Sequence, residues 1–136
     1  MEITYKDFNI LAEEQVKNLY QDASWSNYLL DIKNTMSGIQ KSSTVFSAWN
    51  QNQLVGMIRG LSDDHTVCYI QDILVLKQFQ RQGIGKTLLD KIVKKYPNVK
   101  RFVLLTDLEG ANEFYLKCGF SETKQLQMVS YVKIIE

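Results

Sequence analysis

Residues 80–87 read Gln80-Arg81-Gln82-Gly83-Ile84-Gly85-Lys86-Thr87, two glycines set among cations and amides just ahead of a helical repeat. Glycines at 83 and 85 let an anion approach the backbone closely. A helix beginning there points unpaired N–H groups and the positive end of its dipole the same way. Arg81 and Lys86 add positive charge. The chemistry on offer is phosphate binding. Two well-known phosphate loops fail the count. A nucleotide P-loop needs glycine five residues before Gly85, where Gln80 stands. A dinucleotide fingerprint needs glycine three residues after Gly85, where Leu88 stands. A P-loop domain also opens with its phosphate strand and builds several βα units after it, whereas this loop lies past mid-chain.

The bulk composition makes any anion site local. The formal net charge is +1, so no global field draws nucleic acid or an anionic membrane. The chain has 136 residues, 45% of them hydrophobic, which suits one domain spanning residues 1–136 with a conventional core. Cys68 and Cys118 each sit in an apolar segment and read as reduced core thiols; neither a disulfide framework nor a metal site is expected. The N-terminal MEITYKDFNI lacks the apolar core of a signal peptide. No apolar run approaches the roughly 20 residues that span a bilayer. The expected location is cytoplasmic. His65, the single histidine, falls in a polar turn and is read as a surface residue.

Elements that would position the loop follow from periodicity. EITYK alternates as a short strand. ILAEEQVKNLYQDA carries Leu11, Val16, Leu19 and Tyr20 at mostly helical spacing, and SNYLLDIKNTM reads as a second helix. STVFSAWN, QLVGMIRGL and TVCYIQDILVL are rich in β-branched and aromatic residues, with QNQ and SDDH as turns between them, which predicts a three-stranded antiparallel meander. From Gly83, Ile84, Leu88, Ile92 and Tyr96 recur every four residues, one amphipathic helix stopped by Pro97. VKRFVLLT reads as a strand, and TDLEGANEFYLKCG as a short helix with a Thr106/Glu109 capping box and Gly119 at its exit. QMVSYVKII reads as the last strand, with one more short strand possible after Phe120. The order β-α-α-β-β-β-α-β-α-β implies an α+β domain around a mixed, mostly antiparallel central sheet flanked by helices.

Gln80-Arg81-Gln82-Gly83-Ile84-Gly85 resembles the Gln/Arg-x-x-Gly-x-Gly/Ala signature of the GNAT superfamily of acetyl-CoA-dependent N-acetyltransferases, in which it follows a strand and opens a helix. Ala111, Phe114-Tyr115 and Gly119-Phe120 resemble a second motif of that family at the expected distance. The resemblance covers essentially the whole chain. It implies a GNAT fold whose fourth strand carries a bulge and splays from the fifth, leaving a V-shaped slot into which the pantetheine of acetyl-CoA pairs like an added strand. By position the strand groups are those of Ile73, Leu74 and Val75, and the pyrophosphate falls to Gln80, Arg81, Gln82, Gly83, Ile84, Gly85 and Lys86. Many members carry an asparagine seven residues before the tyrosine. Leu108 stands there, and Asn112 is the candidate replacement.

The resemblance further implies acetyl transfer to a primary amine by direct attack in a ternary complex, with no metal. Tyr115 occupies the family's general-acid position, and a backbone N–H of Leu74 or Val75 would meet the developing oxyanion. Polyamine acetyltransferases read Glu-Asp-aromatic where this chain has Gln71-Asp72. Gln71 cannot act as a base, so the role falls to Asp72, acting through water. Acceptor choice in this fold comes from the first two helices, which places Trp25 and Tyr28, with Gln71, at the amine. Arg59-Gly60-Leu61-Ser62-Asp63 followed by YIQDILV resembles small bacterial acetyltransferases and plastid serotonin-type enzymes, a lead toward arylalkylamines beside polyamines. A CoA-binding regulatory module without turnover and a peptide N-acetyltransferase are the alternative readings. Family members often dimerise, so a homodimer is one option; neither nucleic acid nor membrane is an expected partner.

Overall fold

The computed structural model describes residues 2–107 and 111–135, which fall into two compact units, residues 1–105 and 106–136. In the first unit, strand β1 (Thr4–Asp7) precedes three helices, α1 (Glu13–Asp22), α2 (Ser26–Leu30) and α3 (Ile32–Gln40). Strands β2 (Thr44–Asn50), β3 (Gln53–Ser62) and β4 (Cys68–Val75) follow, then a single 3-10 turn, helix α4 (Ile84–Lys95) and strand β5 (Phe102–Leu104). The sheet order is β1-β2-β3-β4-β5; the first four strands pair antiparallel and β5 lies parallel to β4. The predicted meander is therefore present, and the α+β fold with a mixed central sheet stands as expected.

Residues 26–36 read as one helix, but the run divides: α2 ends at Leu30 and α3 goes on to Gln40. Asp31, at φ −139° and ψ 76°, breaks the run and caps α3 by accepting from the Asn34 N–H at 3.1 Å. In the turn between β3 and β4, the exposed Asp63 carboxylate accepts from the Thr66 hydroxyl and from the Thr66 and His65 amides, and these bonds, the hydroxyl's first, hold its pKa well below the usual range.

Alternation sorts β3 between two layers. A Cβ on Gly60 would come within 2.7 Å of the Ile92 Cδ1 of α4, and one on Gly56 within 3.2 Å of Ile84 Cγ2. These glycines let α4 lie close on the sheet, where Ile84, Leu88, Leu89 and Ile92 are buried; each contributes roughly 1.5–3 kcal/mol. Arg59, between them in sequence, turns to the other face, toward α1 and α3.

The second unit holds helix α5 (Asn112–Lys117) and a 3-10 turn at Thr123–Leu126. Glu109 of the expected Thr106/Glu109 box lies outside the described residues; Ala111 precedes α5 without a side-chain cap. Gly119, at φ +92°, ends the helix as expected, with the Phe120 amide donating back to the Tyr115 carbonyl. Two expectations fail here. No strand follows Phe120, and residues 127–135 pair with no strand of the described sheet. Gln127 adopts φ +59° after the 3-10 turn, and a strand-like sequence needs a partner edge before it becomes a strand. Cys68 is buried, whereas Cys118 is half-buried. Among the described residues no helix is long and apolar enough to cross a membrane.

Candidate active site

Strand β4 leaves its parallel neighbour early. The β4–β5 register runs Cys68↔Phe102, Tyr69↔Val103, Ile70↔Leu104 and stops. From Asp72 to Val75 the strand is paired, among the described residues, on its β3 side alone. The cause is a bulge. Asp72 sits opposite Arg59 and Ile70 opposite Gly60, so Gln71 is an extra residue. Such a bulge bends the strand and raises its twist. Which amides the open edge offers follows from the two-residue period. The Leu76 amide donates to Val55 of β3 at 2.9 Å, so the backbone of Leu74 also faces β3, while Ile73 and Val75 face the open side. Leu74 is thereby corrected as a backbone contact: its amide is turned away, and its side chain is buried in the core.

The loop from β4 to α4 returns to this edge. Gln80 Nε2 donates to the Val75 carbonyl at 3.1 Å and ties the start of the glycine loop to the end of the open strand. Arg81 and Gly83 both take positive φ, +65° and +82°, a region costly for residues with a Cβ. Nothing lies within 4 Å of where a Gly83 Cβ would stand. The backbone there lines open space, a cradle that any side chain would fill. Gly83 precedes α4 with no side-chain cap, and the first intrahelical bond runs from the Thr87 amide to the Gly83 carbonyl. The amides of the first turn have no partner in the helix. Lys86 pairs with Asp90 at 3.0 Å across one exposed turn. A strand edge unpaired among the described residues, a glycine cradle and a helix N-terminus, in sequence, fit the pantetheine and pyrophosphate of CoA.

The bulge also has a side-chain consequence. Successive residues of a regular strand face opposite sides, yet Gln71 and Asp72 reach the same hydroxyl. Gln71 Nε2 donates to Tyr28 Oη at 2.9 Å, and Tyr28 Oη donates to Asp72 Oδ1 at 2.9 Å. On the other carboxylate oxygen Asp72 accepts from Tyr20 Oη and from Arg59 Nε, each at 2.6 Å. Asp72 is 2% exposed. Trp25 completes an aromatic cluster, with ring centroids 4.7 Å apart for Tyr20–Tyr28 and 5.9 Å for Trp25–Tyr28. The structure thus unites four expected residues, Trp25, Tyr28, Gln71 and Asp72, and adds Tyr20 and Arg59. Tyr20 looked like one more apolar position on α1. Arg59 had a legible signal, a lone cation in an apolar strand, which demands a buried partner.

The network shifts its own titrations. Burial, then the Asp72 charge, pushes the Tyr20 hydroxyl far above the ordinary tyrosine value. The same two causes raise Tyr28, against the Gln71 amide, which favours its ionised form. Burial opposes the Arg59 charge, but Asp72 more than offsets it and the guanidinium is held protonated. Beside Tyr28 and Arg59 a pocket of about 280 Å³ opens between α2, α3 and β3, with the Asp31 carboxylate on its wall.

Tyr115 and Asn112 belong to the second unit, on α5. Tyr115 packs edge-on against Phe114 and Phe120, at 5.2 and 5.9 Å between centroids. Burial, with a smaller contribution from Cys118, pushes its hydroxyl up to about 12. Asn112 is exposed.

Comparison with known proteins agrees with this geometry. The family model described as "Acetyltransferase (GNAT) family" matches residues 8–120. A GNAT-family acetyltransferase structure from Streptococcus pneumoniae TIGR4 is 28% identical, covers 98% of each chain and superposes with a TM-score of 0.85. "GCN5-related N-acetyltransferase 3, chloroplastic" from Arabidopsis thaliana is 32% identical over 76 residues, 55% of this chain; the match spans 32% of that relative's length. The structure of aminoglycoside N-acetyltransferase AAC(6')-Iy in complex with CoA shares the fold at 18% identity, covering 97% of this chain and 95% of that one, with a TM-score of 0.75.

Proposed function

Since the chain belongs to the acetyltransferase (GNAT) family, we propose that it moves an acetyl group from acetyl-CoA to the primary amine of a small molecule, an arylalkylamine or a polyamine. The observation that carries this reading is the β4 edge, unpaired beyond Ile70 among the described residues and tied by Gln80 to a glycine cradle at the start of α4. A solved relative of the same fold holds CoA. The neutral amine nitrogen attacks the thioester carbon of acetyl-CoA; the C–N bond forms, the C–S bond breaks, and the proton that nitrogen loses passes to solvent water.

The chain's residues then divide the work. The Gly83 cradle and the first-turn amides of α4 hold the pyrophosphate. The outward N–H groups of Ile73 and Val75 align the pantetheine and meet the charge that develops on the thioester oxygen. The Tyr115 hydroxyl donates its proton to the departing thiolate. Its high pKa keeps that proton in place at neutral pH, and transfer runs uphill unless the thiolate shares the same desolvation.

The amine belongs with Tyr28 and Trp25. Their rings offer faces to a cation, and the Asp31 carboxylate on the neighbouring pocket adds negative charge. Asp72 acts through Tyr28. Bound by three donors and paired with Arg59, its carboxylate orients the Tyr28 hydroxyl rather than collecting a proton itself. Protonating it would leave the Arg59 charge buried alone. Tyr28, which donates to Asp72 and accepts from Gln71, keeps one lone pair for an N–H of the amine.

The test is thiol release from acetyl-CoA against a panel of arylalkylamines, polyamines and peptides. Release with the first two classes and not with peptides is expected. CoA binding without release from any amine would leave a binding module in place of an enzyme.

A further inference from the structure

Arg59 carries more donors than the protein uses. A guanidinium has five N–H groups. Nε donates to Asp72 Oδ2 at 2.6 Å, and Nη1 donates to Ser42 Oγ at 3.4 Å. The other three, both of those on Nη2 among them, meet no acceptor among the described residues. The side chain is only 9% exposed, yet every described side-chain nitrogen or oxygen that is sealed from solvent has a partner. The remaining N–H groups of Arg59 therefore open into the pocket of about 280 Å³ that Arg59 lines with Tyr28, Asp31 and Gly38. Gly38 leaves the approach clear, because a Cβ there would stand 3.3 Å from Nη1.

The charges around the pocket select what enters it. Asp72 already balances Arg59, and the exposed Asp31 adds a carboxylate at the rim. A bare anion would meet two carboxylates for one guanidinium. A bare cation would be repelled by Arg59 and would leave its N–H groups unmet. A zwitterion satisfies both ends. The planar fork of a guanidinium matches a carboxylate. Asp31 Oδ1 accepts from the Asn34 amide at the start of α3, and Oδ2 accepts from no described residue, which leaves it for an ammonium. The volume is small beside the roughly 300–1,000 Å³ of sites that enclose a drug-sized molecule, so it suits a head group.

We propose that this pocket binds the head group of a free α-amino acid, its carboxylate on the Arg59 Nη groups and its ammonium on Asp31. The site is independent of the acetyl-transfer reading, since binding needs neither acetyl-CoA nor turnover.

Titration calorimetry of the full chain against a panel of free L-amino acids, without acetyl-CoA, should find at least one that binds with a Kd of about 1 mM or tighter. The carboxamide and the Nα-acetyl derivative of that amino acid should each bind at least about tenfold more weakly, since each removes one charge of the pair. Asp31→Asn keeps a good cap for α3 and removes the rim charge; its affinity should also fall about tenfold or more, with the melting temperature held. Gly38→Leu keeps a helix-forming residue in α3 and fills the space before Nη1, so binding should be lost. Binding by no member of the panel would overturn the proposal. So would equal binding of either derivative, or wild-type affinity in folded Asp31→Asn or Gly38→Leu.

Discussion

Arg59 Nε donates to Asp72 Oδ2 at 2.6 Å, and the two side chains are 9% and 1% exposed. They stand opposite each other across β3 and β4, at the edge of the bulge. Removing one partner of such a pair leaves a buried charge and costs about 3–5 kcal/mol, whereas removing both is often nearly neutral. Asp72→Asn is therefore expected to lose stability in that range in urea melts. The double variant Asp72→Asn, Arg59→Met should recover most of it. An Asp72→Asn protein as stable as wild type, inactive at pH 7 and recovering toward pH 10, would restore the carboxylate as the general base.

Tyr28 is where the network meets the acceptor. Tyr28→Phe keeps the ring and deletes the hydroxyl. Losing a hydrogen bond to a charged group costs about 1.5–3 kcal/mol, so kcat/KM for the amine should fall roughly 10- to 100-fold. The Kd for CoA, measured by calorimetry, should not move. A parallel loss in both would place Tyr28 in scaffold rather than in recognition.

Alkaline pH should unfold the protein through the same residues. The Tyr20 and Tyr28 hydroxyls have folded-state pKa values above the ordinary value near 10. The unfolded chain releases these protons first, so the tyrosines' contribution to stability is full below pH 10 and falls as pH rises beyond it. The buried Cys68 thiol, pushed up to about 11, starts the decline near 9. Urea midpoints measured from pH 8 to 11 should drop, and Tyr20→Phe should flatten the slope above pH 10. An unchanged slope in that variant would remove Tyr20 as a cause.

Gly83→Val tests the cradle. The side chain meets no protein atom, so its direct cost is the strained φ of +82°, about 1–2 kcal/mol. The branched side chain also fills the space assigned to pyrophosphate. CoA affinity should therefore fall much further than thermal stability. Equal CoA affinity in variant and wild type would move the phosphate elsewhere.

Tyr115→Phe separates packing from chemistry. The ring contacts with Phe114 and Phe120 remain and the hydroxyl goes. A kcat fall of about 100-fold is expected, the lower end for a lost general acid, with acetyl-CoA binding intact. A kcat within about threefold of wild type would hand thiolate protonation to water.

The sequence by itself determined the parts whose physics is local. Gly83 before the Ile84, Leu88, Ile92 repeat specified a left-handed turn into an amphipathic helix, because positive φ and helical spacing are both written in a short stretch. The β2–β3–β4 meander was legible for the same reason, strands joined by short polar turns. Only the tertiary structure decided the rest. The resemblance implied a bulge in this strand, but which residue is surplus, Gln71, was decided by the register of Arg59 and Gly60 on the opposing strand. That register brings Gln71 and Asp72 to one tyrosine, and recruits Tyr20 and Arg59 from 52 and 13 positions away. The segment 128–135 shows the converse. Its alternation specified two apolar faces, but a strand is made by hydrogen bonds to a neighbour, and no residue within the segment can supply one.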